Sequence, residues 1–249
     1  MNYNWNWGIF FDLSPDGAHT YLETLLIGTG WTLATALAAW AMALILGSIV
    51  GVLRTTPYAS LNRLGSAYVE LFRNVPLLVQ MFLWYFVLPE LVPRGFGNWL
   101  KQLPDASFYT AVVALGFYTS ARVAEQVRAG ITSLPRGQRL AALAVGLTLP
   151  QCYRYVLLPM AYRIILPPLT SEFLSVIKNS AVALTIGLME LTARARAMQE
   201  FSFQVFEAFT AATVIYILIN IAVTLAMRRV ERGVAVPGYL GTQPQATTH

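Results

Sequence analysis

The chain has almost no cysteine or histidine. Its single cysteine, Cys152, excludes an internal disulfide. The two histidines, His19 and His249, lie near opposite ends, so no His/Cys metal site is expected. Charged residues make up only 12% of the 249 positions, about half the ~25% of an ordinary soluble domain. That is too little polar surface to coat a water-soluble globule. No GxxxxGK[ST] phosphate loop occurs, so ATP hydrolysis is not expected on this chain. No nucleophile with a base stands out at membrane depth, which argues against an intramembrane enzyme. The first 24 residues lack a basic start followed by an apolar run, so a cleavable signal peptide is not expected. Internal repeats and a separate soluble domain are also missing.

Apolar residues make up 56% of the chain and fall in blocks of about 20, long enough to cross a hydrocarbon core. The expected fold is all-α, a polytopic membrane protein with five transmembrane helices in a single domain over 1–249. The spans are read at 31–53, 61–91, 107–124, 160–188 and 206–227, with a cytoplasmic loop at 125–159. In the opening segment, Trp5, Trp7, Phe10 and Phe11 suit the membrane interface. Gly47 and Gly51, four apart in the first span, would let another helix approach closely. The second span reads as one long helix kinked at Pro76. The net charge of +5 comes from arginines concentrated between the apolar blocks, which points to topology rather than nucleic-acid binding. Most of them fall on one side, which puts the N-terminus in the periplasm and the C-terminus in the cytoplasm.

Several charged or polar residues sit inside or beside the spans. Lys178 follows the Pro167–Pro168 pair, next to Asn179 and Ser180. An intramembrane lysine usually faces a cavity or a partner. It could hold a substrate carboxylate, pair with Glu172, or snorkel to the surface. Glu70 with Arg73, and Arg122 with Glu125, have the three-residue spacing of structural ion pairs, with gating as the sharper alternative. Gln80 could bond across helices or line the path.

The loop TSLPRGQRLAALAVGLTLPQCYRYVLLP at 132–159 reads as two short helices around Gly146. Pro135 suits a first helical turn, and Gly146 suits a left-handed helix end. Thr148 with Gln151 matches a capping box, and the second helix is expected to stop at Pro159. Such an elbow could dock into a groove on a soluble partner or be a plain surface loop.

This segment resembles the cytoplasmic loop of ABC-importer permeases, with its Glu-Ala-Ala, Gly and Leu-Pro pattern. The matching residues are Ala141, Ala142, Gly146, Leu158 and Pro159, and Leu140 stands where that family has glutamate. YVELFRNVPLLVQ at 68–80, ARVAEQVRAGITSLPRGQ at 121–138 and IKNSAVALTIG at 177–187 are similar to the polar amino-acid branch. NWNWGIF and FLWYFVLPEL look like its glutamate/aspartate import permeases; relatives for glutamine, histidine or arginine share most of these motifs. The resemblance implies a type I ABC importer of the bacterial inner membrane. In that family the elbow forms coupling helices seated on the ATPase. The implied partners are a second permease subunit (self or homologue), two ATPase subunits carrying ATP and Mg, a periplasmic solute-binding protein and membrane lipid. The rival class is a secondary transporter, which would need no soluble partner.

Overall fold

Thr20 starts the first long helix with a capping box. Its backbone N–H donates to Glu23 Oε2 at 2.7 Å, and Glu23 N–H donates to Thr20 Oγ1 at 3.3 Å. The resulting helix α1 runs Tyr21–Leu53, so it begins well before the expected start at 31. In this computed structural model, residues 3–234 are described. The short tail, with His249, and the C-terminus expected in the cytoplasm lie outside them. Among the described residues the chain is helical and forms no strand beyond one isolated bridge, Leu13 to Thr20.

The remaining helices are α2 (Ala59–Asn74), α3 (Leu77–Phe82), α4 (Leu88–Leu91), α5 (Arg94–Gln102), α6 (Ala106–Thr132), α7 (Arg136–Ala144), α8 (Leu149–Cys152), α9 (Leu158–Asn179), α10 (Leu191–Ser202) and α11 (Val205–Val234). Only α1 and α11 are by themselves long and apolar enough to cross a membrane. Two bent pairs reach that standard when each is counted together: α2 with Leu77–Leu91, bent by 100°, and Leu149–Ile186 with α10, bent by 50°. The 27 residues of α6 span about 40 Å at 1.5 Å per residue. Its second half carries Arg122, Glu125 and Arg128.

The expected kink at Pro76 is a full break. Val75 is extended and Pro76 opens α3, since a proline disfavours helix at the residue before it. Gln80 holds the corner, its amide donating to Phe72 O at 2.9 Å and Val75 O at 3.0 Å. Pro159 does not stop its helix. A π-helical turn, Tyr153–Leu157, precedes it, and Leu158 N–H reaches back to Tyr153 O. That wider turn gives the ring the room an α-turn denies it. The same device recurs at Leu83–Val87, just before Leu88–Pro89. The path from α8 into α9 is therefore continuous, and it runs on through Pro167 and Pro168.

The core is organised around α6, which packs most extensively on α1 and next on α9. One stripe of α1 is small and buried: Ala36, Ala39, Ala43, Gly47 and Gly51. A methyl at Gly47 would lie 2.6 Å from Val123 Cβ and 2.7 Å from Ser120 O. At Gly51 it would lie 2.7 Å from Val127 Cβ. On its other side, Gly130 of α6 faces Ala161 and Ile165 of α9. Small residues let membrane helices approach closely enough for dispersion to hold them.

Gly47→Val should therefore force α1 off α6, at about 1–3 kcal/mol if it behaves like other overpacked sites. Gly30→Ala, where an added methyl meets nothing within 4 Å, serves as the control. Thermal unfolding of the detergent-purified protein should show a lower midpoint for Gly47→Val alone; equal midpoints would contradict the packing account.

Candidate functional site

The elbow is built by chain geometry. Helix α7 ends in a paired-bond motif: Leu147 N–H donates to Ala142 O at 3.2 Å, and Gly146 N–H donates to Leu143 O at 3.0 Å. Gly146 has φ +88, a value that β-branched side chains resist. Helix α8 is then capped by Thr148, whose N–H donates to Gln151 Oε1 at 2.8 Å. Of the motif residues, Ala142 is buried against Cys152, Tyr153 and Leu157, whereas Ala141 and Gly146 are exposed. Leu158 is half-buried and Pro159 exposed on the far side of the π turn. Leu140 (66% exposed) and Val145 (78%) leave an apolar outer face on the elbow.

The elbow is fastened to the first long helix. Tyr153 hydroxyl donates to Thr55 O at 2.8 Å, just beyond the end of α1. Close by, Arg54 donates to Glu125 at 2.5 Å, and Arg128 donates to the other oxygen of the same carboxylate at 2.5 Å. Glu125 thus holds a guanidinium on each of its two oxygens. The expected Arg122–Glu125 pair does not form. Arg122 instead lies over the Tyr118 ring at 4.7 Å and donates to its hydroxyl at 2.6 Å. Nor do Glu70 and Arg73 pair; both are exposed on α2. The three-residue spacing does pair Glu125, but with Arg128 on one oxygen, while Arg54 takes the other.

Lys178 is exposed on α9 and opens into a groove of about 640 Å³ against α11. Thr213, Tyr216, Asn220, Thr224 and Arg228 line the opposite wall. Lys178 forms no ion pair with Glu172. After Asn179, which is half-buried, the helix tightens to a 3₁₀ segment, Ser180–Ile186, closed by Gly187 at φ +86. The double proline does not break α9; the change comes at Ser180. Ser180 itself is fully buried, and its hydroxyl donates to Ile177 O at 2.8 Å.

Two buried carboxylates escaped the sequence reading. Glu190, with no exposed surface, caps α10 by accepting from Thr192 N at 2.9 Å and Ala193 N at 2.8 Å. It also accepts from Tyr216 of α11 at 3.0 Å and Thr32 of α1 at 3.4 Å. Glu207 accepts from Tyr3 at 2.5 Å and from Asn6 N at 2.8 Å, which ties the aromatic N-terminal segment to α11. An acid just before a helical run was a legible cap signal for Glu190; its tertiary partners were not.

The model of the family described as "Binding-protein-dependent transport system inner membrane component" matches residues 43–236. The glutamate/aspartate import permease protein GltJ of Escherichia coli K12 is 52% identical over 244 residues, covering 97% of this chain and 99% of its own. The probable glutamine ABC transporter permease protein GlnM of Bacillus subtilis is 35% identical over 201 residues, 81% of this chain and 88% of its own. A crystal structure of an amino acid ABC transporter with histidines superposes with a TM-score of 0.72 at 30% identity, covering 86% of this chain and 95% of that one. An inward-facing MetNI methionine ABC transporter gives 0.74 at 22% identity, over 90% and 100% of the two chains, a likeness of fold alone. With the family model spanning most of its length and a 52%-identical relative covering nearly all of it, the chain belongs to the inner-membrane components of binding-protein-dependent transport systems.

Proposed function

We propose that the chain is the permease subunit of an ABC importer that moves glutamate and aspartate across the bacterial inner membrane. The observation that carries this is the 52% identity to a glutamate/aspartate import permease over nearly the whole of both chains. Glutamine permeases are more distant, which favours the acidic substrates over glutamine. In this reading two ATPase subunits supply ATP hydrolysis with Mg, a second permease completes the pathway, and a periplasmic binding protein delivers the amino acid. The reconstituted complex should hydrolyse ATP faster with glutamate or aspartate plus binding protein than with glutamine, histidine or arginine. Equal stimulation by all five would defeat the substrate assignment, and uptake that needs no ATPase would favour a secondary transporter.

The whole of 1–249 is read as one transmembrane permease domain with five crossings: α1, the bent α2–α4 unit, α6, α9 with its 3₁₀ extension, and α11. Support comes from the two apolar helices, the two bent pairs and the length of α6. The arginine bias favours a periplasmic N-terminus and a cytoplasmic C-terminus. Reporters fused after Phe11 and at Gly233 should then report opposite sides of the membrane; same-side signals would rule the topology out.

The elbow is assigned to ATPase coupling through Ala141, Ala142, Gly146, Leu158 and Pro159. Its exposed apolar face and its bond to the end of α1 support the role. Gly146→Val should insert normally but lose most co-purifying ATPase, while Gly146→Asn, which tolerates positive φ, should keep more of it. Unchanged co-purification of the valine variant would remove the elbow from the mechanism.

Lys178 is assigned to the substrate's α-carboxylate, with Asn179 beside it and Glu172 on the same path. Ser180 and Gln80 act as positioning residues, because their hydroxyl and amide donors are already committed to backbone carbonyls. Glu125 with Arg54, and Arg122 over Tyr118, steady the cytoplasmic end; Glu70 and Arg73 remain available for gating. Lys178→Met should assemble and hydrolyse ATP but import poorly, with radiolabelled uptake at least tenfold down if a charge-assisted bond is lost. Normal uptake would show that the charge is dispensable.

A further inference from the structure

The groove between α9 and α11 holds two cations and no anion. Lys178 stands on one wall and Arg228 on the other, and none of the lining residues is acidic. Neither cation takes part in an ion pair or hydrogen bond among the described residues. The acid nearest in sequence to Arg228, Glu231, is occupied elsewhere: it accepts from Thr170 of α9 at 2.8 Å. Two unpaired like charges facing one cleft repel each other, and an anion between them relieves that cost.

The neutral groups of the groove have a matching bias. Thr213 and Thr224 spend their hydroxyl protons on the carbonyls of Phe209 and Asn220, each at 2.7 Å. Their free lone pairs can only accept. Asn220 donates its amide to Tyr216 O at 2.7 Å, and its Oδ1 is closed off from the groove, so the accepting falls to the threonine hydroxyls. The cleft therefore offers positive charge for two carboxylates and bare acceptors for one ammonium.

We propose that Arg228 is the specificity residue of this permease: it takes the side-chain carboxylate of an acidic amino acid, while Lys178 takes the α-carboxylate and the Thr224 hydroxyl oxygen accepts from the ammonium. The proposal rests on the substrate reading of Lys178 given above. It adds the distinction that reading lacks, since an α-carboxylate is common to every amino acid. A planar guanidinium suits bidentate recognition of a carboxylate and penalises a neutral amide in its place. Arg229 and Arg232 lie beside Arg228 at the end of α11, so the positive-inside signal survives the loss of one arginine. An arginine kept only for topology would leave substrate choice untouched.

The test is direct binding of glutamate and of glutamine to the purified membrane complex without binding protein, followed by isothermal titration. Wild type should prefer glutamate by at least tenfold, one charge-assisted contact. Arg228→Gln should weaken glutamate at least tenfold and leave glutamine within twofold, so that discrimination collapses. Lys178→Met should weaken both ligands alike. Equal binding of the two ligands by wild type, or undiminished discrimination in Arg228→Gln, overturns the proposal. If Lys178→Met alone weakens binding, the groove stands and the role of Arg228 is wrong; if neither variant changes binding, the groove is not the substrate site and the reading beneath it fails. Should Arg228→Gln fail to assemble, Arg228→Lys keeps the charge and changes its reach, and a glutamate-to-aspartate binding ratio identical to wild type then overturns the assignment.

Discussion

Close approach of α1 to α6 is the constraint on which the rest of the structure depends. Apolar side chains gain nothing by leaving lipid for a protein core, so contact distance and shape decide whether membrane helices associate. Gly47 and Gly51 let α1 sit against Val123 and Val127, and Gly130 lets α9 do the same from the other side. With α6 enclosed in this way, its charged second half has protein around it. Arg54 can then reach Glu125 from α1, where the pair is only partly exposed. A partly buried carboxylate held by two guanidiniums avoids the cost of a lone buried charge. The elbow is fastened at the same level, through Tyr153 and Thr55.

Much of this was legible in the sequence. The apolar blocks marked the long helices, because nothing else explains such runs with so few charges. The glycine pair in α1 announced a close contact, and the Thr148–Gln151 spacing announced a helix start. What the sequence concealed was mostly tertiary. Three-residue spacing set both Arg122 and Arg128 beside Glu125; only Arg128 pairs with it, and the second partner, Arg54, lies far away in sequence. Proline was over-read as a stop at Pro159, because a π turn upstream can absorb the ring, and under-read at Pro76, where Gln80 stabilises a 100° corner. The candidate site was half visible. Lys178 stood out as a cation in an apolar run, but Arg228 passed as one of many topology arginines. Only the packing of α11 on α9 puts the two in one groove.

Two buried carboxylates tie further helices together. Glu190 joins α1, α10 and α11 through Thr32, its own helix start and Tyr216, and Glu207 joins the N-terminal segment to α11. Each is fully buried yet satisfied by several donors, the condition under which such a group organises a fold rather than weakening it. Tyr216 belongs both to this network and to the wall of the cleft. The geometry of that wall is thus fixed from behind by residues that never face it.

The uninterrupted run from Leu149 to Ile186 has a mechanical consequence. Its one end is the elbow and its upper part carries Lys178, while Ala161 and Ile165 bear on Gly130 between them. The run is packed along its length, at Leu157, Ala161, Ile165 and Leu169 and again at Val176 and Ile177. At 1.5 Å per residue about 44 Å separates Leu149 from Lys178, so elbow and cation are the two ends of one continuous strut.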